Sequence, residues 1–330
     1  MERINRSGII FLLILALIVG GIVPSMVSAA DKPIVIKLAH LYPPQNIYAR
    51  AGERFAKNVA EHTNGRVKVE LFGSGTMGTW RETIEGLQFG TTNCVIESVG
   101  TLDRYDPLPG IEAYPYLIRD TDHFNSFWYG PVGTQLHEDI AQKTNFRTIG
   151  AIYRGTRNLT CNRKIEKVED LKGLKLRVPP LKMYKLTWQY LGASGVPMSF
   201  KEVFTSIQQG IIDGQENPLI IIHDFKMNEV CKYLVMTRHV TGAMTFIFYD
   251  PWFKKLPADI QKIITEDVEE ASKWANELGI KGENDLKETM VKKGMILIEP
   301  DLEPFRAKTA GMIKDFPELK EYYEKIKAIK

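Results

Sequence analysis

The stretch from Leu171 to Leu219 constrains the fold more than any other part of the sequence, because short β-prone runs alternate in it with two amphipathic helical patterns. One β run places Arg177 just before two prolines, and a second strand-like run ends in the motif DGQENP at residues 213–218. In open α/β sheets, ligands bind in the crevice at the carboxyl ends of the strands. We therefore interpret this stretch as one wall of a binding cleft in an α/β protein.

The remaining chain predicts a second α/β unit and one very long helix. The 330 residues and the 44% share of hydrophobic residues suffice for two lobes, each with its own core. A β run at 34–39, a helical stripe at 45–63 and alternating residues at 67–71 open the first lobe. The pattern from 257 to 293 predicts a helix of about 54 Å at 1.5 Å per residue, long enough to span both lobes.

The first 29 residues carry the pattern of a cleaved signal peptide. Arg3 and Arg6 precede an uninterrupted apolar run at 8–23, and small residues follow it up to Ala29 and Ala30. The apolar run is shorter than the ~20 residues that a membrane-spanning helix needs. We predict that residues 1–29 are removed and that the mature protein is periplasmic or otherwise extracytoplasmic. An uncleaved N-terminal anchor is the alternative, and it implies export as well.

Sequence motifs for catalysis, metal binding and nucleic-acid binding are missing. None of the six histidines stands in an HExxH motif, and neither a GxSxG elbow nor a GxxxxGK[ST] phosphate loop occurs. The net charge of +3 at pH 7 is not concentrated in a basic block, which disfavours nucleic acid as a partner. We expect no enzymatic activity, no metal and no cofactor.

One motif suggests a different activity. Residues 73–78, GSGTMG, formally match the GxGxxG dinucleotide fingerprint, and Glu97 follows at a suitable distance. The motif comes after the second β run rather than the first, and export would separate the protein from free nucleotide cofactors. We therefore interpret it as a tight turn that leads into a helix.

Cysteine usage permits at most one intramolecular disulfide, because the chain has three cysteines. Cys161 and Cys231 both fall in the predicted second lobe, and we hypothesise that they pair. Cys94 lies in an apolar run, which is typical of an inert buried thiol.

Four polar residues fall at predicted strand ends, and their types suit an anion. Arg157 and Arg177 carry planar donor forks that match a carboxylate, and Asn217 offers both a donor and an acceptor. Glu97 can accept hydrogen bonds from hydroxyl groups. Their convergence at strand ends predicts a binding site for a small acid.

Several motifs resemble one known family. They are GTRNLTCNRKI at 155–165, DLKGLKLRVPP at 170–180, LGASGVPMSFKEVFTSIQQGIIDGQENPL at 191–219 and FYDPWFKKLP at 248–257. These segments look like those of the solute-binding subunit of tripartite ATP-independent periplasmic (TRAP) transporters of the DctP type. The resemblance implies a two-lobed periplasmic binding protein with mixed sheets flanked by helices. It also implies that the lobes close around a small organic acid, which is then delivered to TRAP membrane permease subunits.

The resemblance assigns roles to individual residues. Arg177 matches the arginine that binds the substrate carboxylate through both arms of its fork. Arg157 matches a second carboxylate or hydroxyl contact, and Asn217 matches an amide that orients the carboxylate. The resemblance extends to three further positions. Phe200 matches an aromatic platform, Glu97 matches a polar contact from lobe one, and His40 occupies the polar position that closes the first strand.

The ligand class depends on the loop at residues 78–81. Sialic-acid binders of the family carry acidic residues near this loop, so Trp80 disfavours sialic acid. Trp80 could stack on a sugar face while Glu97 accepts from its hydroxyls, which makes a sugar acid such as a hexuronate the first candidate. Dicarboxylates, keto acids and aromatic acids follow. An ABC-type anion-binding protein and a secreted enzyme stay open as other classes.

The resemblance also suggests where the lobes divide. Lobe one would comprise residues 31–154 and 243–282, and lobe two residues 155–242 and 283–330. The long helix would then contribute to both lobes.

Overall fold

The computed structural model describes residues 32–330, and the predicted signal peptide at 1–29 lies outside them. Residues 33–330 form one compact unit. Its nine strands are β1 Ile34–Ala39, β2 Val67–Phe72, β3 Cys94–Ser98, β4 Phe146–Cys161, β5 Lys175–Val178, β6 Ser194–Pro197, β7 Gly214–Pro218, β8 Tyr233–Tyr249 and β9 Ile296–Ile298. Its eleven α-helices are α1 Ile47–His62, α2 Trp80–Phe89, α3 Thr121–Trp128, α4 Pro131–Thr144, α5 Lys182–Leu191, α6 Val203–Gln208, α7 Leu219–Asp224, α8 Asp250–Phe253, α9 Ala258–Lys292, α10 Glu303–Thr309 and α11 Lys320–Lys327.

The strands form one mixed sheet in the order β2-β1-β3-β8-β4-β7-β5-β6, with β9 paired to β8. Parallel pairs occur at both ends of this order, among β1, β2 and β3 and among β5, β6 and β7. The antiparallel pair β4 and β8 joins the two groups. This arrangement confirms the predicted α/β class with a mixed sheet flanked by helices. Across residues 32–330, no helix combines the length and apolar character that crossing a membrane requires.

Strands β4 and β8 run continuously through the middle of the sheet. Strand β4 is continuous from Phe146 to Cys161, although Gly155 lies within it. Register shifts against β8, one of them between Tyr153 and Thr156, absorb the irregular residues, and Gly155 there has a φ of 76°. The suggested lobe boundaries at 154/155 and 242/243 fall inside these two strands and stay a prediction.

The predicted long helix is confirmed as α9, which has 35 residues. Its buried apolar residues recur every three or four positions, as expected for an amphipathic helix; they include Ile260, Ile264, Val268, Ala271 and Ala275. The helix packs against α1, β4 and α7. It therefore contacts α1, which connects β1 to β2, and α7, which follows β7.

The position of the DGQENP motif differs from the one predicted from the sequence, which was the end of a strand. In the structure its residues Gly214–Pro218 are the strand β7 itself, fully buried between β4 and β5. A Cβ atom at Gly214 would lie 2.2 Å from the backbone oxygen of Thr160 on β4. Glycine is required here because the two backbones approach so closely.

The predicted disulfide is wrong, since Cys161 and Cys231 are both free thiols and Cys94 is a third. The Cys161 thiol donates to the carbonyl oxygen of Arg163 at 3.0 Å, and Cys231 lies against Thr160 instead. Burial raises the pKa of Cys161 to about 11 and that of Cys231 to about 12. Both thiols are therefore protonated and unreactive at neutral pH.

Candidate functional site

A cavity of about 70 Å³ lies beside β3, β4, β5 and β7, and we call it the central cavity. Six of the seven residues predicted for the site line it, namely Arg177, Arg157, Asn217, Phe200, Glu97 and Trp80. A wider space of about 300 Å³ adjoins it, and Leu41, Trp80, Phe200 and Phe225 line both. The structure thus brings together residues that are up to 137 positions apart, from Trp80 to Asn217.

Arg177 is a buried guanidinium without a carboxylate partner. It is 3% exposed, its Nε donates to the carbonyl oxygen of Met198 at 3.0 Å, and its Cζ lies 5.4 Å from the centre of the Phe200 ring. Among residues 32–330, no acidic side chain lies within 4 Å of it. Burial lowers the pKa of Arg177 to about 10, so the side chain is still charged at neutral pH. It presents an unneutralised donor fork to the central cavity.

Arg157 has a different environment, because Glu216 occupies most of its fork. Nε and Nη2 of Arg157 donate to Oε2 and Oε1 of Glu216 at 2.5 and 2.7 Å, and Nη2 also donates to the Glu216 backbone oxygen at 2.8 Å. Nε2 of His239 lies 2.9 Å from the same carboxylate. Burial alone would raise the pKa of Glu216, but Arg157 and His239 together lower it to about 2. Arg157 is thereby neutralised, and its Nη1 makes no hydrogen bond within the described residues.

Asn217 is held in one orientation by its neighbour on the same face of β7. Its Nδ2 donates to Oε1 of Gln215 at 2.5 Å, and Nε2 of Gln215 donates in turn to Oγ1 of Thr160 at 2.6 Å. Residues two apart on a strand share a face, which brings the two amides together. Among residues 32–330, the Asn217 side-chain oxygen accepts no hydrogen bond and can accept one from a ligand.

The opposite wall comes from β3 and α2. Glu97 on β3 is 6% exposed, and its Oε1 accepts from the backbone N–H of Ser98 at 2.9 Å. Burial raises the pKa of Glu97. Trp80 is the first residue of α2, which begins with a capping box between Thr79 and Glu82. The cap fixes the start of the helix and with it the backbone of Trp80.

His40, the seventh predicted residue, does not line the central cavity. Its Nδ1 accepts from the backbone N–H of Tyr42 at 3.3 Å, and its ring stacks on the Tyr42 ring at 6.2 Å. Burial lowers the pKa of His40 to about 4, so the imidazole is neutral. The structure places His40 behind Tyr42, which does line the cavity.

Arg154 also lines the central cavity, although its sequence context did not indicate a site residue. Arg154 and Arg157 are three positions apart, so a regular strand would direct them to opposite faces. The register shift between Tyr153 and Thr156 interrupts that alternation, and both arginines reach the cavity. Gly155 was the available signal, because glycine in a β run often marks a bulge.

The chemistry of this site is binding rather than catalysis. Three guanidinium groups, an amide and a carboxyl face one small space between aromatic side chains. Among the described residues, no cluster of His, Cys, Asp or Glu could hold a metal ion. The donors suit a carboxylate, and Glu97 suits a hydroxyl.

A family model for the bacterial extracellular solute-binding proteins of family 7, known as DctP, matches residues 38–319. The chain belongs to this DctP family. A solute-binding protein of Roseobacter denitrificans is 34% identical over 280 residues, which cover 85% of this chain and 86% of that protein. The sialic acid-binding periplasmic protein SiaP of Vibrio cholerae is 30% identical and covers 88% of this chain, with 91% of its own length matched.

Solved structures of TRAP periplasmic solute-binding proteins share the fold of this DctP protein. The Roseobacter denitrificans structure, with bound L-galactonate, has a TM-score of 0.85 and 32% identity and covers 89% of this chain and 99% of its own. A Citrobacter koseri structure with bound D-glucuronate has a TM-score of 0.84 and 26% identity and covers 90% and 99%.

These similarities confirm the resemblance to TRAP solute-binding proteins. They also confirm that this DctP protein is a solute-binding protein and not an enzyme, because the family and its relatives bind solutes for transport. The ABC-type and secreted-enzyme classes are thereby set aside.

Proposed function

We propose that this DctP protein captures a small organic acid outside the cytoplasm and delivers it to the membrane permease of a TRAP transporter. The first candidate ligand is a sugar acid such as a hexuronate. The observation that carries the proposal is the buried guanidinium of Arg177, which has no carboxylate partner among the described residues.

A ligand carboxylate supplies what Arg177 lacks. A buried charge without a partner is costly, and a carboxylate bound by both Nη groups offsets that cost with two charge-assisted hydrogen bonds. Arg157 lines the same cavity, and its Nη1, which makes no hydrogen bond within the described residues, can add a third donor. The Asn217 side-chain oxygen can accept from a hydroxyl next to the carboxylate.

The other wall suits the polyol part of a sugar acid. Glu97 and Ser98 line it, and Trp80 and Phe200 provide aromatic surface between the polar groups. Sugars combine hydroxyl-bearing edges with apolar C–H faces, so aromatic rings and hydrogen-bonding groups are both needed. The relatives from Roseobacter denitrificans and Citrobacter koseri hold L-galactonate and D-glucuronate, which are acids of this kind.

The proposal includes export and closure. Residues 1–29 would be cleaved as a signal peptide, which places the mature protein in the periplasm. Lobe one at 31–154 and 243–282 contributes Glu97 and Trp80, whereas lobe two at 155–242 and 283–330 contributes Arg177 and Asn217. A bound acid would contact both lobes, and binding energy would favour the closed state.

The test is a thermal-shift screen of the purified mature protein, followed by calorimetry. D-glucuronate and D-galacturonate are compared with the neutral sugars D-glucose and D-galactose, which lack only the carboxylate. At 100 times Kd, a ligand stabilises the folded protein by about 2.7 kcal/mol. We expect at least one acid to raise the melting temperature and both neutral sugars to leave it unchanged. The proposal would be contradicted if only the neutral sugars raised the melting temperature. It would also be contradicted if no organic acid in a wider panel raised it.

A further inference from the structure

Arg154 is a second guanidinium with unmet hydrogen-bonding capacity. Its side chain is 8% exposed, and its Nε has no hydrogen-bond partner in the described part of the chain. The nearest carboxylate oxygen is Oε1 of Glu112, which lies 3.8 Å from Nη1 and is therefore too distant for a hydrogen bond. Arg154 lines the central cavity, so its side chain borders the space that a ligand would occupy.

Glu112 is committed to other donors. Its Oε1 accepts from the backbone N–H of Ala243 at 3.0 Å, and its Oε2 accepts from Oγ of Ser98 at 2.8 Å. Gly242 makes this position possible, because a Cβ there would lie 2.0 Å from Oε1 of Glu112. Glu112 thus balances the charge of Arg154 while leaving its N–H groups available.

Arg154 and Arg177 reach the cavity from separate positions. Arg154 lies on β4 and Arg177 on β5, and β7 stands between these two strands in the sheet. The carboxylate nearest Arg154 is that of Glu112, whereas Arg177 donates to Met198 and lies over the Phe200 ring. A ligand that fills the cavity therefore meets the two guanidiniums at different points.

The local pairing of charges favours a ligand with one carboxylate. Arg157 is neutralised by Glu216 at 2.5 Å, and Arg154 is balanced by Glu112 at 3.8 Å. Arg177 alone of these three arginines has no acidic partner within the described residues, so the ligand carboxylate belongs beside it. A carboxylate beside Arg154 would instead lie close to the carboxyl groups of Glu112 and Glu97, and like charges in a buried site repel strongly.

We propose that Arg154 donates to a neutral oxygen, a hydroxyl or carbonyl, at the end of the ligand remote from Arg177. Glu97 accepts from a neighbouring hydroxyl at that end. Together the two residues select polyhydroxy monocarboxylates and reject aldarates, which carry a carboxylate at both ends of the same carbon chain. This inference rests on the proposed function and specifies the ligand class of the same site.

The test compares acids that have a neutral group at the end remote from the first carboxylate with acids that have a second carboxylate there. Calorimetry with the purified protein measures the affinity for the monoacids D-glucuronate, D-galacturonate and D-galactonate and for the aldarates D-glucarate and galactarate. We expect the tightest monoacid to bind at least about tenfold more tightly than the tightest aldarate. Equal or tighter binding of an aldarate would overturn the inference.

Two variants locate the selectivity. Arg154→Met keeps the length of the aliphatic chain and should weaken binding of the tightest-binding monoacid at least about tenfold. The control Arg306→Met, at an exposed arginine, should leave that affinity unchanged. Glu97→Gln removes a negative charge at the remote end and should reduce the ratio of the affinity for the monoacid to the affinity for the aldarate. Unchanged affinity in Arg154→Met would contradict the role of Arg154.

The outcomes separate the two proposals. If wild-type protein binds no acid, the proposed function fails and the inference fails with it. If it binds a monoacid but the ratio to the aldarate is close to one, only the inference fails. Circular dichroism shows whether Arg154→Met folds. If it does not, the affinity ratio of the wild-type protein and the effect of Glu97→Gln still test the inference.

Discussion

Arg157 and Glu216 form a two-point ion pair in the middle of the sheet, with both side chains at most 3% exposed. The pair joins β4 to β7, and His239 on β8 contacts the same carboxylate. Three neighbouring strands are thus linked by one buried charge cluster directly behind the central cavity. Arg157 is positioned by this cluster before any ligand binds.

Loss of the Glu216 charge should destabilise the fold and change its response to acid. The folded-state pKa of about 2 lies below the ordinary value of 4.5, so the unfolded chain binds more protons between these values. The resulting stability, about 3 kcal/mol, is present above pH 4.5 and is lost as the pH falls toward 2. Glu216→Gln should lower the free energy of unfolding at pH 7 by about 3–5 kcal/mol.

Urea denaturation at several pH values checks this prediction. Between pH 4.5 and 2, the variant should lose stability less steeply than wild type, since it lacks the titrating carboxylate. Glu61→Gln, at an exposed pair with Lys57, is the matched control and should behave like wild type. Parallel pH curves for wild type and Glu216→Gln would count against the assignment.

Arg177 should be indispensable for acid binding. Arg177→Ala removes two charge-assisted hydrogen bonds and should weaken binding at least about 100-fold, beyond the range of calorimetry for a micromolar ligand. Arg177→Lys keeps the charge but lacks the planar fork, and should lose most of the affinity. Arg306→Lys serves as the control at an exposed position. Near-native affinity in Arg177→Lys would argue against a two-pronged carboxylate contact.

Trp80 should contribute affinity for sugar acids through its ring rather than through charge. Trp80→Ala should weaken binding of a hexuronate about tenfold. Trp80→Phe should weaken this binding by less, because phenylalanine retains an aromatic face. Binding of a small acid such as lactate should depend less on Trp80. Calorimetry with the two acids measures the difference, and an equal loss for both would contradict stacking on the sugar.

Gly214 should tolerate no side chain. Gly214→Ala places a Cβ against the Thr160 backbone oxygen and should cost about 1–3 kcal/mol or more, because neither backbone can move without breaking the pairing of β4 with β7. Gly282→Ala is the contrasting control, since it lies within α9 with no atom within 4 Å of the added methyl group. That change should stabilise by about 0.5–1 kcal/mol. Denaturation midpoints that fall equally for both variants would be incompatible with this account.

The three thiols should be free yet slow to react. A thiol reagent added to the native, unreduced protein should label few of Cys94, Cys161 and Cys231, because burial raises the pKa of each thiol. The same reagent in denaturant, without reductant, should label all three. Labelling of a single thiol in denaturant would instead indicate a disulfide.

Much of the fold could be predicted because local patterns determine it. The 3.6-residue periodicity at 257–293 predicted the helix α9, which spans Ala258–Lys292, almost to the residue. Arg177 and Asn217, which line the central cavity, were predicted as site residues because their types suit an acid and because the motifs around them resemble those of a known family.

What the sequence did not reveal depends on irregular or long-range geometry. A bulge at Gly155 brings Arg154 to the same cavity as Arg157, and strand alternation alone predicts the opposite. The partner of Arg157 is Glu216, 59 positions away, and only the pairing of β4 with β7 makes that contact. His40 was placed at the site because it ends a strand, but its ring packs behind Tyr42.

The pairing of β3 with β8 has a consequence for how the chain folds. Cys94 lies opposite Phe248, so the first parallel group is completed by a strand that is synthesised some 150 residues later. Neither group of strands can close its hydrogen bonds without the β4–β8 ribbon, which both groups share. The protein should therefore unfold in one cooperative transition, and a fragment that ends before β8 should not retain a stable half of the molecule.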